Sequence, residues 1–525
     1  VCSSDLGMGN IGRRVAAMLN AFSCRILYTD VFRSDAKVEE DLALTYCPDL
    51  ASLVPEVDIL SFHCPLTAEN RHCLDAVQIA RMKPGAVVVN TARGKLIDSQ
   101  ALANALREGR IGAVALDVHE DEPIPEDYPF LHMEQAILTP HIGGLSRDAF
   151  ASMMHGANDS PLFRGNDVRI FTDFGAMFAS LLADMEQARD HIHFEFFKFE
   201  DDAIGRRAAE VLMRKAREGV EVRVQYDDFS NFFRKKFFRE LKRAGVAVQP
   251  FLALNFPFVS PDSNFRNHRK IVVVDGRVGY LGGMNIAERY QKGLSWGPWR
   301  DTHLRIEGPA VSQLQVAFLS DWRFSSRHLL AEERYFPPVA AVGHTPVQVV
   351  ASSPMGTWHA AMQGLIQLLG NAREYVYLQT PYFIPTSALM MALKNAALAG
   401  VDVRVMFPER SDGLLTLPAS RSYVKEALLA GVKIYFYEGG FLHAKTAVAD
   451  DAFVSIGSTN LDVRSMVLDF EIDAYCYDPA LAQQQKAIFL HDAESARPIT
   501  WPAWDKRPFW KKLIESVSRL FSPLL

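Results

Sequence analysis

The chain has 525 residues, 49% of them hydrophobic and 22% charged, which excludes a disordered or collagen-like polymer and gives a length prior of three or four domains with real cores. A net charge of -6 and a pI near 6.2 exclude an overall basic, nucleic-acid-binding signature, so any attraction to anionic partners is local. Five of the six cysteines lie in the first 73 residues, a distribution that forms neither a disulfide framework nor zinc spacing, and no apolar run of about 18 residues marks a transmembrane helix.

Val1 to Leu6 (VCSSDL) match what a sequencing adapter encodes in one frame, and the chain is expected to be a fragment or a processed product. Next come Gly7-Met-Gly9-Asn-Ile-Gly12, a helical pattern, and a strand ending in Asp30. Glycines at this spacing let a backbone approach a pyrophosphate, and the acid takes the ribose hydroxyls. Together with Asn90-Thr-Ala-Arg93-Gly, Asp117-Val-His-Glu-Asp-Glu122-Pro and Thr139-Pro-His141-Ile-Gly-Gly, the segment from about 7 to 153 resembles the NAD-binding domain of D-2-hydroxyacid dehydrogenases. The resemblance implies that Arg93 binds a substrate carboxylate, His141 is an acid/base and Glu122 holds that histidine. The residues before Gly7 read Ser-Ser-Asp where an apolar central strand belongs, and the domain that faces this one is not recognised. Residues 1–158 are therefore expected to be a truncated, vestigial Rossmann-like segment, with NAD as its candidate cofactor.

From about Gly165 a pattern begins that occurs twice. Ala188-Arg-Asp-His-Ile-His-Phe returns as Ala372-Arg-Glu-Tyr-Val-Tyr-Leu, and Gly219-Val-Glu-Val-Arg-Val as Gly400-Val-Asp-Val-Arg-Val. A repeat whose offset wanders by a few residues is a duplicated domain with loop insertions, so two homologous α/β halves related by a pseudo-two-fold axis are expected, 159–343 and 344–525. In the first half the periodicity predicts strands over 191–199, 221–226, 246–251 and 270–275 and helices over 176–188, 204–218 and 231–244.

Each half carries one cassette. His268-Arg-Lys270, Asp275 and Gly282-Gly283-Met-Asn285 match His443-Ala-Lys445, Asp450 and Gly457-Ser458-Thr-Asn460 at every interval. A phosphodiester repels nucleophiles, so cutting one without metal needs a nucleophile, a proton donor and fixed cations on the phosphoryl oxygens. Two His, two Lys and two Asn supply that set, and no metal or cofactor is required. Asp275 and Asp450 either join the chemistry or cap the turn that ends the strand. Asp301 and Glu471, one acid after each cassette, suit the role of fixing a histidine tautomer. His191, His193 and His303 read as satisfied structural histidines, with Glu195 pairing one of them.

The duplicated His-x-Lys-x4-Asp identifies these residues with the phospholipase D superfamily. Asn264-Phe-Arg-Asn-His-Arg-Lys, Trp299-Arg-Asp-Thr-His, Thr380-Pro-Tyr-Phe-Ile-Pro and Gly440-Phe-Leu-His-Ala-Lys-Thr resemble bacterial cardiolipin synthases over about 165–525. The resemblance implies a phosphatidyltransferase that joins two phosphatidylglycerols, with His268 as nucleophile, His443 as proton donor, and Lys270, Lys445, Asn285, Asn460 and Ser458 on the phosphoryl oxygens. It implies phosphatidylglycerol and a membrane surface as partners, a peripheral place on the bacterial inner membrane, and no nucleic acid. The family's N-terminal pair of transmembrane helices is replaced here by the dehydrogenase-like segment.

Residues 232–243 and 509–521 combine cations with aromatics at helical spacing, a pattern that fits either a lipid interface or an ordinary core face. The rival readings of the chain are a hydrolase using water as acceptor, a 2-hydroxyacid dehydrogenase, and a lipid-binding scaffold without turnover.

Overall fold

A computed structural model describes residues 2–20, 24–121, 124–125, 127–139, 153–154, 159–253, 264–413 and 415–524. These fall into two compact units, Val1–Ala149 and Phe150–Leu525.

The first unit is a seven-stranded parallel sheet in the order Leu44–Tyr46, Arg25–Thr29, Cys2–Leu6, Ile59–Phe62, Ala86–Asn90, Ile111–Leu116 and Ala136–Leu138. The first strand lies at the point where the winding reverses, the arrangement of a doubly wound nucleotide-binding sheet. The expected gap is therefore filled. Cys2–Leu6 pairs with Arg25–Thr29 on one side and Ile59–Phe62 on the other. Ladder hydrogen bonds use backbone groups that every non-proline residue carries, so a polar segment occupies a central slot between two apolar strands.

In the second unit the described residues form a sixteen-stranded sheet in which seven strands on each side of the middle follow the same order outward, with Ala496–Ile499 added at the edge of the second half and Arg266–Asn267 paired off this path. The first half runs Leu162–Phe171, His303–Glu307, Val278–Gly282, Lys270–Val274, His191–Phe196, Glu221–Asp227 and Ala247–Phe251. The second runs Thr345–Ser352, Asp469–Cys476, Phe453–Gly457, Thr446–Ala449, Tyr375–Gln379, Asp402–Pro408 and Lys433–Tyr437. The two innermost strands pair antiparallel, which makes the duplication one continuous sheet.

Helices cover both faces. Phe174–Gln187, Ala203–Arg217 and Lys235–Arg243 pack on the first half, and Ala360–Asn371, Ser387–Leu398 and Thr416–Leu429 on the second. On the opposite face Val311–Ser326 and Pro479–Glu494 close a core drawn from both halves, including Ile271, Val273, Val349, Val448 and Ile472. Re-exposing one such side chain costs about 1.5–3 kcal/mol, so the halves form one body. Within this frame Lys270–Val274 is buried at all five positions, with its side chains shared between the two cores.

Candidate active site

Two short parallel bridges bring the cassettes together. Arg266–Asn267, just before His268, pairs with Asp469–Phe470 of the other half; Phe441–Leu442, just before His443, pairs with Trp299–Arg300. The chain then continues identically in both places, with His268 N donating to Phe470 O at 2.9 Å and His443 N to Arg300 O at 2.7 Å. This register sets each histidine beside the acid that follows the opposing strand. His268 Nδ1 lies 3.0 Å from Glu471 Oε1 and 3.1 Å from Ser458 O, and His443 Nδ1 lies 2.6 Å from Asp301 Oδ2. Carbonyl and carboxylate oxygens only accept, so His268 Nδ1 carries the proton and its Nε2 is a lone pair; His443 Nδ1 meets the acceptor Asp301 and also the donor Lys445 Nζ at 2.9 Å, and neither Nε2 has a protein partner among the described residues.

The lysines fold back onto their own motifs: Lys270 Nζ donates to His268 O, and Lys445 Nζ to His443 O. All these groups are buried. Burial, then the charges of Lys270 and Lys445, hold the His268 imidazole well below its ordinary value, while burial and Lys445 bring His443 down to about 4. Burial also brings Lys270 down to about 7 and Lys445 down to about 8, and it lifts Glu471 to about 7. Burial pushes Asp301 upward too, but His443 and Lys445 outweigh it and hold the carboxyl below its ordinary value. The two pairs thus differ: His443 leans on an ionised acid, and His268 on a more easily protonated one.

Several expectations need correction. Asp275 and Asp450 stand five residues past the lysines, roughly 16 Å along an extended strand. Asp275 accepts from the N–H groups of Arg189, Asp190 and His191 at 2.8–2.9 Å, and Asp450 from those of Arg373, Glu374 and Tyr375 at 2.7–2.9 Å. Both have φ near +50°, a turn conformation that Asp tolerates, so they tie strand ends rather than reach the phosphate. Ser458 Oγ donates to Glu471 and accepts from Ile472 N, and Asn285 is held by Lys198 N and Tyr290 OH, which makes both supports of the site. Asn460 differs, with a buried amide oxygen that has no partner among the described residues.

His191 and His193 are satisfied, sharing Gln315 between them. His303 is not. It is buried with neither ring nitrogen bonded among the described residues, and burial holds it neutral, down to about 3. Glu195 pairs with Asn267, not with a histidine, because strand alternation turns it toward the bridge before His268. Gly283 and Gly457 admit the acids and strands beside them, since a Cβ on either would lie 2.0 Å from an Asp carboxylate oxygen.

Sequence reasoning missed the aromatic walls and the arginines. Phe197 meets the His268 ring at 4.8 Å, and Trp299, Phe441 and Tyr290 surround His443 at 5.1–6.0 Å. Arg269 Nε holds Glu471 O at 3.0 Å, and Arg300 grips Asp492 with two bonds of 2.8 and 3.1 Å. The signal available was position: each arginine adjoins a cassette histidine or the acid that serves the other.

Residues 181–322 and 365–493 match the family model "Cardiolipin synthase, PLD-like domain". The cardiolipin synthase of Listeria innocua serovar 6a is 42% identical over 368 residues, covering 69% of this chain and 76% of that one. The chain belongs to the cardiolipin synthase family. It is a phosphatidyltransferase of the phospholipase D superfamily. The major cardiolipin synthase ClsA of Bacillus subtilis strain 168 is 40% identical over 373 residues, with 70% and 77% covered. The crystal structure of phosphatidylserine synthase from Haemophilus influenzae Rd KW20 shares the fold at 13% identity, with a TM-score of 0.55 over 72% of this chain and all of that one. Residues 6–143 match the NAD-binding domain of D-isomer specific 2-hydroxyacid dehydrogenases.

In that first unit the dinucleotide turn is built as its glycines require. A Cβ at Gly12 would lie 2.2 Å from Gly7 O, whereas one at Gly9 would meet nothing, leaving open space where the pattern brings a pyrophosphate. The Asp30 carboxylate receives Met8 N at 2.6 Å, which fixes it at the strand end that takes a ribose. These residues fit NAD. Arg93 is exposed, and Glu122 and His141 lie outside the described residues.

Proposed function

We propose that the enzyme joins two phosphatidylglycerol molecules into cardiolipin and glycerol through a phosphohistidine, using one site shared by residues 159–343 and 344–525. The observation that carries this reading is the crossed anchoring of the two histidines, each by an acid of the opposite half. His268 Nε2 attacks phosphorus as the bond to glycerol breaks, and His443 Nε2–H gives the departing oxygen its proton. His443 then takes the proton of a hydroxyl on the second phosphatidylglycerol, whose oxygen displaces His268. The unequal acids support this division of labour: the ionised Asp301 raises the proton affinity of His443, while His268 stays neutral and nucleophilic. Lys270, Lys445 and Asn460 hold the phosphoryl oxygens. An anion seated between the ammoniums offsets their charge, so substrate binding raises the affinity of His443 for the proton it donates.

The proposed substrate supports a place at a lipid surface, and no described helix is long and apolar enough to cross a membrane. Phosphatidylglycerol vesicles incubated with the enzyme are expected to yield cardiolipin and glycerol in equal amounts, with an acid-labile phosphoryl group on His268 after quenching. Phosphatidic acid as the main product would make it a hydrolase instead.

With its central strand in place, the first unit is expected to bind NAD through Gly7, Gly9, Gly12 and Asp30. NAD should then raise the melting temperature saturably, and Asp30→Ala should weaken the effect. No shift at millimolar NAD would leave the unit a scaffold without a working dinucleotide site.

A further inference from the structure

The C-terminal helix Phe509–Arg519 wears its faces reversed. A surface helix ordinarily buries its apolar stripe and shows its polar one. Here Glu515 and Ser518 are turned inward, followed by Ser522, and Glu515 holds Arg507 at 2.9 Å. The large apolar side chains point away: Phe509 is 77% exposed, Leu520 77% and Trp510 57%, with Leu513, Val517 and Phe521 also exposed. The helix is nevertheless fixed on the molecule. It lies along Thr416–Leu429, where Arg519 covers the Tyr423 ring at 4.1 Å and faces Glu426 at 3.4 Å.

The other basic aromatic segment shows the ordinary arrangement. Lys235–Arg243 buries Phe237, Phe238 and Leu241, so within residues 232–243 those two aromatics are core while Phe233 stays 88% exposed. Of these two described helices, the C-terminal one is the one whose apolar stripe is left without a cover.

We propose that this face is an interfacial anchor that lays the enzyme on an anionic phospholipid bilayer, an inference that rests on the proposed lipid substrate. Charge complementarity supports that occupant. Lys506 and Lys511 flank the stripe without a carboxylate partner among the described residues, and Lys511 Nζ lies 5.5 Å from the Trp510 ring centre, the geometry of a cation at a headgroup beside an aromatic at the acyl boundary. Continuity with the site supports it too. Ser522–Leu524 packs on Val463–Val467, the helix that follows Asn460. Arg464 in that helix bonds Asn264 Oδ1 at 3.1 Å and forms an ion pair with Asp469 at 3.2 Å, beside the bridge that places His268. The anchor is therefore joined through Val463–Val467 to the bridge that places His268.

The test is flotation of the full chain with vesicles of phosphatidylglycerol and phosphatidylcholine, compared with phosphatidylcholine alone. The parent should bind the anionic vesicles in a salt-sensitive way. The variant Phe509→Ser, Leu513→Ser, Val517→Ser, Leu520→Ser should lose roughly tenfold or more in vesicle partition, with an unchanged melting temperature and unchanged transfer on detergent-dispersed phosphatidylglycerol. Lys506→Glu with Lys511→Glu should weaken binding to anionic vesicles alone. Undiminished flotation of the serine variant overturns the proposal, and so does a fall in its melting temperature alongside binding. A parent dimer that the variant dissolves while still floating would assign the face to a second copy of the chain. Cardiolipin made equally by both proteins with equal flotation removes the anchor and leaves the function; reduced flotation with cardiolipin from neither removes the function and leaves the anchor.

Discussion

His268→Ala and His443→Ala are each expected to abolish phosphatidyl transfer, a loss on the order of 10⁴-fold or more, and the double variant is expected to be no worse than either. The nucleophile forms the phosphorus–nitrogen bond and the proton donor releases glycerol, so each is useless without the other. Crossed anchoring sharpens the expectation. Glu471 and Asp301 hold the two rings from opposite halves, so there is no second site in which one cassette could work alone. Single-turnover assays on phosphatidylglycerol, with melting temperatures alongside because both rings are buried, decide it. Turnover near the parent's in either single variant would end the shared-site reading.

Lys270→Met and Lys445→Met should each lower kcat roughly 10²–10³-fold, while a strong chelator leaves the parent unaffected. The reason is placement: two buried ammoniums, each folded onto the backbone of its own histidine, are the fixed cations of the site. The same burial makes them sensitive to pH. Lys270 is brought down to about 7 and Lys445 to about 8, so in the free enzyme the charges are lost as pH rises through that window. Accordingly kcat/KM should fall above about pH 7–8, and kcat should fall only at higher pH, because a bound phosphodiester favours the charged lysines. Activity lost in chelator and restored by a divalent ion, or a kcat/KM flat into the alkaline range, would remove the lysines from this role.

The duplication, the members of the cassette and the strand that begins at Lys270 were legible because they are local: intervals, alternation and turn residues survive in one dimension. The predicted strands and helices of the first half lie within a few residues of the observed ones for the same reason. Long-range pairing is different. Asp301 follows the first cassette and Glu471 the second, yet each serves the opposite histidine. Only the two-residue bridges Arg266–Asn267 with Asp469–Phe470 and Phe441–Leu442 with Trp299–Arg300 decide that exchange. Asp275 shares the cassette's spacing but sits at the far end of a strand, where three N–H groups at the start of the neighbouring strand and the turn before it claim it. Polar Cys2–Leu6 became a central strand because its neighbours supplied the slot. Periodicity showed that Phe509, Leu513, Val517 and Leu520 share one side of a helix, but it is blind to which side the rest of the molecule occupies. That depends on where Thr416–Leu429 lies and on the Arg507–Glu515 pair that turns the polar face inward.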